Sequence, residues 1–169
     1  MFLTRLKIGQ RLGLGFGSVL VLLIAIAGMA WFSLQASRAA TERVIVMEKR
    51  AALTDEWAAS TQLNINRVMA LAKSSNHPAL DAHYKPLIAK TTERINEIQK
   101  VLDAEISSEH GRALLKDIAQ RRTEYIDARK GYFELLKGGD MAAAESALNG
   151  KLMPAADRYT ASQAELQTY

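Results

Sequence analysis

Cysteine is absent from the chain, and only three prolines and three histidines occur among its 169 residues. Without cysteine the protein can form no disulfide bridge, no thiolate metal site and no cysteine nucleophile. The histidines are His77, His83 and His110, and none of them stands in the Glu-x-x-His pattern that a di-metal bundle requires. The sequence also contains no glycine-rich phosphate loop and no serine–histidine–acid set. We therefore expect a protein that is not an enzyme and that uses no metal and no cofactor.

Charge is absent from residues 12–34, which are predominantly apolar. A helix needs about 20 apolar residues to cross a bilayer core of about 30 Å, so this run predicts one transmembrane helix embedded in lipid. A cleaved signal peptide is one alternative, but its apolar part usually has only about 7–15 residues. A buried core helix is another, and it normally keeps one polar face. We favour the uncleaved anchor, because the run is long and leads into Trp31 and Phe32, which suit a membrane interface.

Acidic residues are absent from the amino-terminal stub, which carries Arg5, Lys7 and Arg11. Basic residues clustered at one end of a span remain in the cytoplasm. We therefore predict a cytoplasmic stub at 1–11, a transmembrane helix at 12–34 and a domain at 35–169 on the other side of the membrane. Because the three basic residues supply most of the formal net charge of +4, that charge indicates orientation and no nucleic-acid partner.

Beyond the span, alanine, leucine, glutamate, lysine and arginine dominate, which indicates an all-α fold. Turn residues interrupt the chain at 74–78, 107–111 and 138–140, with a serine and Asp140 available as helix caps. Helices joined by short loops pack as antiparallel neighbours, so we predict an up-down-up-down four-helix bundle preceded by the transmembrane helix. The predicted helices cover 37–73, 79–104, 109–137 and 141–169, the last with a kink near 149–154.

The third predicted helix carries cations on the face that should point inward. Its heptad series is apolar at both ends and has Arg122, Tyr125 and Arg129 in the middle. A buried arginine needs compensation, because it cannot lose its proton. Acids on other helices could compensate the charge, or the arginine side chains could extend to water. Alternatively, the two arginines hold an anionic ligand, because the planar guanidinium suits a carboxylate. The full series is Leu115, Ile118, Arg122, Tyr125, Arg129, Tyr132 and Leu136.

The first and second helices should add polar residues at about the same height. The inward series of the first helix has Asn64 and Arg67 in its middle, and the second helix offers Thr91 and Thr92. A polar, cation-rich layer inside an apolar bundle is costly as structure and suitable as a pocket. No acid occupies these series, which favours a ligand with two or three carboxylates. The first series is Leu53, Trp57, Ser60, Asn64, Arg67 and Leu71.

The whole chain resembles the amino-terminal portion of a methyl-accepting chemotaxis receptor. The likeness rests on the stub, the span, the bundle, the opening Leu-Lys-Ile-Gly-Gln-Arg-Leu-Gly-Leu-Gly-Phe, and the segments Gly-Asp-Met-Ala-Ala-Ala at 139–144 and Leu-Met-Pro-Ala at 152–155. The resemblance implies a bacterial inner-membrane location for the chain and a periplasmic location for the domain at 35–169. It also implies a sensor that shifts its last helix on binding a small ligand, and a dimer formed through the first bundle helix. Because the last helix of such a bundle returns to the membrane, we expect a second span and a cytoplasmic output portion beyond Tyr169.

Within this family, the chain is more similar to members that sense C4-dicarboxylates or citrate than to members of the aspartate type. The resemblance assigns the ligand contacts to Arg67 on the first helix, to Thr92 or Thr91 on the second, and to the arginine-tyrosine-arginine set on the third. Three other interpretations remain open. They are an amino-acid sensor, the same bundle joined to a histidine kinase or a nucleotide cyclase, and a purely structural bundle.

Overall fold

The computed structural model describes residues 8–169, without the side chains of Ile8, Gln10 and Arg11. Arg5 and Lys7 lie outside the described residues, so the membrane orientation that they indicate stays a prediction. All regular secondary structure in the described residues is helical, which confirms the predicted all-α class.

Five α-helices and one π-helical segment make up the described chain. The predicted breaks are confirmed, and the predicted bounds of the second and third helices agree with the structure to within a residue or so. In chain order the elements are α1 (Ile8–Lys73), α2 (Pro78–Glu105), α3 (Glu109–Lys137), α4 (Met141–Ala147), the π-helical segment (Leu148–Leu152) and α5 (Met153–Gln167).

The chain divides into two compact units, with the boundary between Glu48 and Lys49. In the first unit, α1 contains an 18-residue window with a mean hydropathy of 2.3, and none of that window is buried. A core helix of a soluble protein would be mostly buried. The length and composition of this part of α1 therefore fit a membrane span.

The second unit, Lys49–Tyr169, is an antiparallel helical bundle, and polar contacts along α1 show the direction of its neighbour α2. Near the start of this unit, the Arg50 guanidinium donates to the Glu105 carbonyl at 2.7 Å, at the end of α2. Farther along α1, Arg67 donates to Thr91 Oγ1 at 2.7 Å. Later residues of α1 therefore bond to earlier residues of α2, so the two helices are antiparallel.

The last helical segment returns along α1 in the same antiparallel way. Gln167 donates to Asp55 Oδ1 at 2.8 Å, and Gln163 donates to Thr61 Oγ1 at 3.1 Å. With α4, the π-helical segment and α5 counted as one interrupted helix, the second unit is the four-helix bundle that the sequence predicts.

Local signals account for the helix ends. Pro78 occupies the first turn of α2, where its missing N–H costs nothing. Ser108 Oγ accepts from the Gly111 amide at 3.2 Å, and Asp140 Oδ1 accepts from the Ala143 amide at 3.0 Å. Both side chains satisfy amides that have no partner within their own helix, so the predicted caps are confirmed.

The predicted kink is a π-helical segment. The Met153 amide donates to the Leu148 carbonyl, five residues earlier, where an α-helix would use the residue four back. Pro154 follows immediately in the first turn of α5 and has no amide proton for the α-helical ladder. This missing donor gives a local reason for the irregular turn.

Burial on α1 corrects the predicted inward series in part. Trp57, Asn64 and Leu71 are buried as predicted, but Ser60 is half-buried and Thr61 takes its place. The heptad seam used for the prediction is narrow, whereas a helix packed on several sides buries a wider stripe with a period of 3.6 residues. The stripe also contains Thr54, Ile65, Val68 and Ala72, while Leu53 and Arg67 are only half-buried.

Candidate ligand-binding site

Arg67 connects α1 to α2 through a single nitrogen of its guanidinium. Nη1 donates to Thr91 Oγ1 at 2.7 Å, to the Leu87 carbonyl at 3.1 Å and to Asn64 Oδ1 at 3.3 Å. The Asn64 amide in turn donates to Thr92 Oγ1 at 3.1 Å. The structure thus brings three predicted site residues together. All of these acceptors are neutral oxygens, so they orient the cation without cancelling its charge.

The two threonines act as acceptors in this network. The Thr91 hydroxyl donates to the Leu87 carbonyl at 2.9 Å, and the Thr92 hydroxyl donates to the Ile88 carbonyl at 2.8 Å. Each hydroxyl has one proton, and a carbonyl one turn earlier already receives it. In this arrangement the threonines position Arg67 and Asn64. Direct contact of either hydroxyl with a ligand stays a prediction.

Arg122 lies at the α2–α3 boundary, where it bonds to two side-chain amides. Nη1 donates to Gln99 Oε1 and Nη2 donates to Asn96 Oδ1, both at 2.6 Å. The side chain is half-buried, and these partners are again uncharged. The structure therefore assigns Arg122 to a different set of contacts from those of Arg67.

Tyr125 is only 5% exposed and stacks on Tyr159 of α5, with ring centroids 6.0 Å apart. The guanidinium carbon of Arg129 lies 5.8 Å from the centroid of the Tyr125 ring, within the range of a cation–π contact. In the described part of the chain, the Tyr125 hydroxyl has no hydrogen-bond partner. Burial raises the pKa of this hydroxyl to about 12, and the nearby Arg129 guanidinium opposes that rise through its charge and through its N–H groups, which approach the oxygen without completing a hydrogen bond.

A cleft of about 560 Å³ lies between α1, α2 and α3, at the end of the bundle where α1 turns into α2. Arg129 is the one predicted site residue among its lining side chains. Lys85 and Lys137 add two more cations, and Asp81 adds one carboxylate. Its apolar lining consists of Val68, Leu71, Ile88, Phe133 and Leu136.

Ion pairs divide the arginines of the second unit into two groups. One group has a carboxylate oxygen within 4.0 Å, and its members are Arg50, Arg94, Arg121 and Arg158. The other group has none at that distance among residues 8–169, and its members are Arg67, Arg112, Arg122 and Arg129. Arg112 is exposed, where water solvates an unpaired cation at little cost. The other three are half-buried, and they are the arginines that the sequence predicts to hold a ligand.

Comparison with known families decides the class of the protein. The family described as "Tar ligand binding domain homologue" has a model that matches residues 2–169. The chain belongs to this family. A search of curated proteins found no match. A Tar ligand-binding domain homologue is the sensor domain of a chemoreceptor, which agrees with the resemblance drawn from the sequence and with the helical bundle. Such a domain recognises a ligand and is not itself an enzymatic domain.

Sequence reasoning missed three charged residues of this Tar ligand-binding domain homologue that line the cleft. Asp81 and Lys85 are one helical turn apart near the start of α2, and Lys137 is the last residue of α3. Helical spacing could have found Lys137, because Arg129, Phe133 and Lys137 follow one another at intervals of four residues. Placing Asp81 and Lys85 in the cleft requires the rotation of α2 about its own axis, which the sequence does not determine.

Sequence reasoning also missed a polar contact inside the bundle. Gln163 is 1% exposed and donates to Thr61, and Thr61 Oγ1 lies 3.4 Å from the Tyr159 hydroxyl. Tyr159, Gln163 and Leu166 share one face of α5, a spacing visible in the sequence. Within the described residues, no group of three or more acidic or histidine side chains is arranged to hold a metal ion.

Proposed function

We propose that this domain is the periplasmic sensor of a transmembrane chemoreceptor and that it binds small organic anions, C4-dicarboxylates or citrate. The proposal rests chiefly on Arg67, Arg122 and Arg129, which are half-buried and have no carboxylate partner in the described part of the chain. A cation that is partly removed from water gains free energy from an anion placed beside it. Arginine also binds carboxylate through two parallel hydrogen bonds, which gives geometric selectivity.

The charge balance of the cleft favours a ligand with more than one carboxylate. Arg129, Lys85 and Lys137 outnumber Asp81, so the lining has an excess of positive charge. A dianion or a trianion would neutralise that excess, whereas a neutral or cationic ligand would not. Arg67, Arg122 and Tyr125 are the further ligand contacts that we propose, together with Thr91 or Thr92 if a hydroxyl turns toward the ligand.

An amino-acid ligand is the second candidate, and Asp81 is the observation that favours it. An α-amino acid would place its carboxylate near the cations and its ammonium group near the Asp81 carboxylate. The two candidates predict opposite effects of Asp81→Asn. This substitution should tighten the binding of a dicarboxylate, because it removes a like charge, and it should weaken the binding of an amino acid.

Signalling would follow from the contacts between α1 and α5. We propose that ligand binding shifts α5 along α1 and passes the movement to a cytoplasmic output portion. Such a shift must break the Gln163–Thr61 and Gln167–Asp55 hydrogen bonds, which join α5 to α1, and these side chains must then find new partners. Association of two copies through the first bundle helix is part of the same proposal.

Membrane topology is the remaining part of the proposed function. We propose that residues 12–34 cross the inner membrane, with 1–11 in the cytoplasm and 35–169 in the periplasm. A reporter enzyme that is active only outside the cytoplasm should be active when fused after Ala104. Activity of a cytoplasm-specific reporter at the same position would contradict this topology.

Calorimetric titration of the full chain in lipid nanodiscs tests the ligand class. The panel is succinate, malate, citrate, aspartate and serine, at constant ionic strength so that general screening is equal. We expect at least one of succinate, malate and citrate to bind more tightly than both aspartate and serine. Tighter binding of aspartate or serine than of all three would replace the proposed ligand class with the amino-acid alternative.

A further inference from the structure

The cleft has more apolar surface than a four-carbon dicarboxylate can use. Its volume of about 560 Å³ lies within the range of about 300–1,000 Å³ typical of pockets for larger organic ligands. Five apolar side chains line it, and the charged side chains of the lining are Asp81, Lys85, Arg129 and Lys137. A small dianion would leave the apolar part unfilled and would gain nothing from it. The lining therefore suits a molecule that has both an apolar body and a negative end.

The apolar wall of the cleft is held in place before any ligand binds. Phe133 packs edge-on against Tyr132, with ring centroids 5.0 Å apart and an interplanar angle of 78°. The Tyr132 hydroxyl donates to the Ala72 carbonyl on α1 at 2.8 Å, and Tyr132 itself is buried. The hydrogen bond holds Tyr132, and Tyr132 supports the Phe133 ring that lines the cleft. A preformed apolar face lowers the entropy cost of binding a flat ring.

The cations of the cleft are available for an anion. Lys85 and Lys137 are exposed side chains, and neither has a carboxylate oxygen within 4.0 Å among residues 8–169. Asp81 stands one helical turn before Lys85, at a spacing that often gives an ion pair, but the two do not pair at that distance. Arg129 is already held over the Tyr125 ring.

From this arrangement we infer that the cleft is a binding site for carboxylates with an apolar, preferably aromatic, body. The ring lies against Phe133 and the aliphatic side chains, and the carboxylate faces Arg129, Lys85 and Lys137. The inference rests on the proposed function only in that the ligand is an organic anion. Lys85, Arg129 and Lys137 are also the cations of the cleft that we propose for a dicarboxylate, so the two ligand classes should compete for the same site.

Three probes of nearly equal size test the inference on the full chain in lipid nanodiscs. Benzoate, benzyl alcohol and benzylamine share the ring and differ in charge. We expect benzoate to bind at least about tenfold more tightly than benzyl alcohol, because charge-assisted hydrogen bonds are the stronger ones. Benzylamine should bind most weakly. Fluorine NMR with 4-fluorobenzoate detects binding that is too weak for calorimetry. Benzoate that binds no better than benzyl alcohol would overturn the inference.

Two substitutions and one control locate the site. Lys137→Met removes a charge of the cleft and keeps most of the side-chain volume, and it should weaken benzoate binding about tenfold. Leu136→Trp should fill the cleft and abolish binding. Lys130→Met is the control, because Lys130 is an exposed lysine of α3 that does not line the cleft. Equal effects of Lys137→Met and Lys130→Met would place benzoate elsewhere and overturn the inference.

The result for dicarboxylates separates this inference from the proposed function. Binding of benzoate without binding of succinate, malate or citrate would support the inference about the cleft and refute the ligand class given under the proposed function. Binding of those acids without benzoate would remove the cleft inference alone. Thermal unfolding of each variant, followed by circular dichroism, confirms that a loss of binding does not reflect a loss of folding.

Discussion

Replacing Tyr125 by phenylalanine should raise the stability of the empty bundle and lower its affinity for a carboxylate. The substitution removes one oxygen atom and leaves the ring. The stack on Tyr159, at 6.0 Å, and the contact with Arg129, at 5.8 Å, therefore remain. The oxygen that is lost is buried and has no hydrogen-bond partner in the described part of the chain.

The expected gain in stability follows from that unpaired hydroxyl. A buried polar group without a partner costs about 1–3 kcal/mol, so Tyr125→Phe should raise the free energy of unfolding by about that amount. The expected loss in affinity follows from the proposed ligand contact. A hydrogen bond to a charged group contributes about 1.5–3 kcal/mol, which corresponds to roughly a tenfold to hundredfold weaker carboxylate complex.

The same hydroxyl predicts a loss of stability at alkaline pH. Its pKa is about 12 in the folded chain, against 10.0 for an unperturbed tyrosine. Between these values the unfolded chain releases the proton and the folded chain keeps it, so stability falls as the pH rises. The difference corresponds to about 3 kcal/mol of stability, most of which is lost as the pH rises from 10 to 12. Tyr125→Phe removes this contribution and should flatten the alkaline part of the curve.

Urea unfolding of the full chain in micelles measures both effects. Trp57 is 1% exposed in the bundle core, so its fluorescence reports unfolding of the second unit. The reasoning is refuted if Tyr125→Phe destabilises the bundle by more than about 1 kcal/mol, because the hydroxyl would then have a partner that stabilises the fold. An unchanged alkaline curve would show that burial does not raise the pKa of Tyr125.

Two further predictions concern the scaffold. The Arg94 hydrogen bond lowers the pKa of Glu56 below its usual 4.5; a carboxylate of this kind stabilises the fold above that value and ceases to do so as the pH falls through the folded pKa. The melting temperature should therefore fall as the pH is lowered below about 4.5, and it should fall less in Glu56→Gln. Gly111→Ala should destabilise the bundle by about 1–3 kcal/mol in urea unfolding, because the added Cβ would overlap Ile106 and approach Ser108 Oγ to 2.8 Å. A neutral effect of Gly111→Ala would mean that the turn before α3 can move aside.

The fold was largely predictable because its boundaries depend on local chemistry. Pro78, Ser108 and Asp140 act within one turn of the helices that they begin, and such signals are visible in the sequence. The irregular turn before α5 was predictable for the same reason, since Pro154 lacks an amide proton. Short loops between helices then leave little choice of topology.

The candidate site was predictable only in part, because it depends on how each helix is rotated. Arg67, Arg122 and Arg129 are half-buried and have no carboxylate partner in the described residues, and their contact with a ligand stays a prediction. Arg122 donates to side-chain amides of α2, and Asp81 and Lys85 of α2 line the cleft. Both observations depend on which face of α2 meets the neighbouring helices. One residue of a helix corresponds to about 100° of rotation, so a small error in register changes these contacts completely.

The most direct test of the central claim is carboxylate binding by arginine variants of the full chain. Arg129→Ala is compared with Arg112→Ala, which removes an exposed arginine of the same helix that also lacks a carboxylate partner in the described residues. With the tightest carboxylate of the succinate, malate and citrate panel, we predict that Arg129→Ala weakens binding by roughly 1.5–3 kcal/mol and leaves the stability of the empty bundle unchanged or higher. Arg112→Ala should change neither. Equal affinities for the two variants, or a sharp loss of stability in Arg129→Ala alone, would show that Arg129 is a structural residue and would contradict the claim.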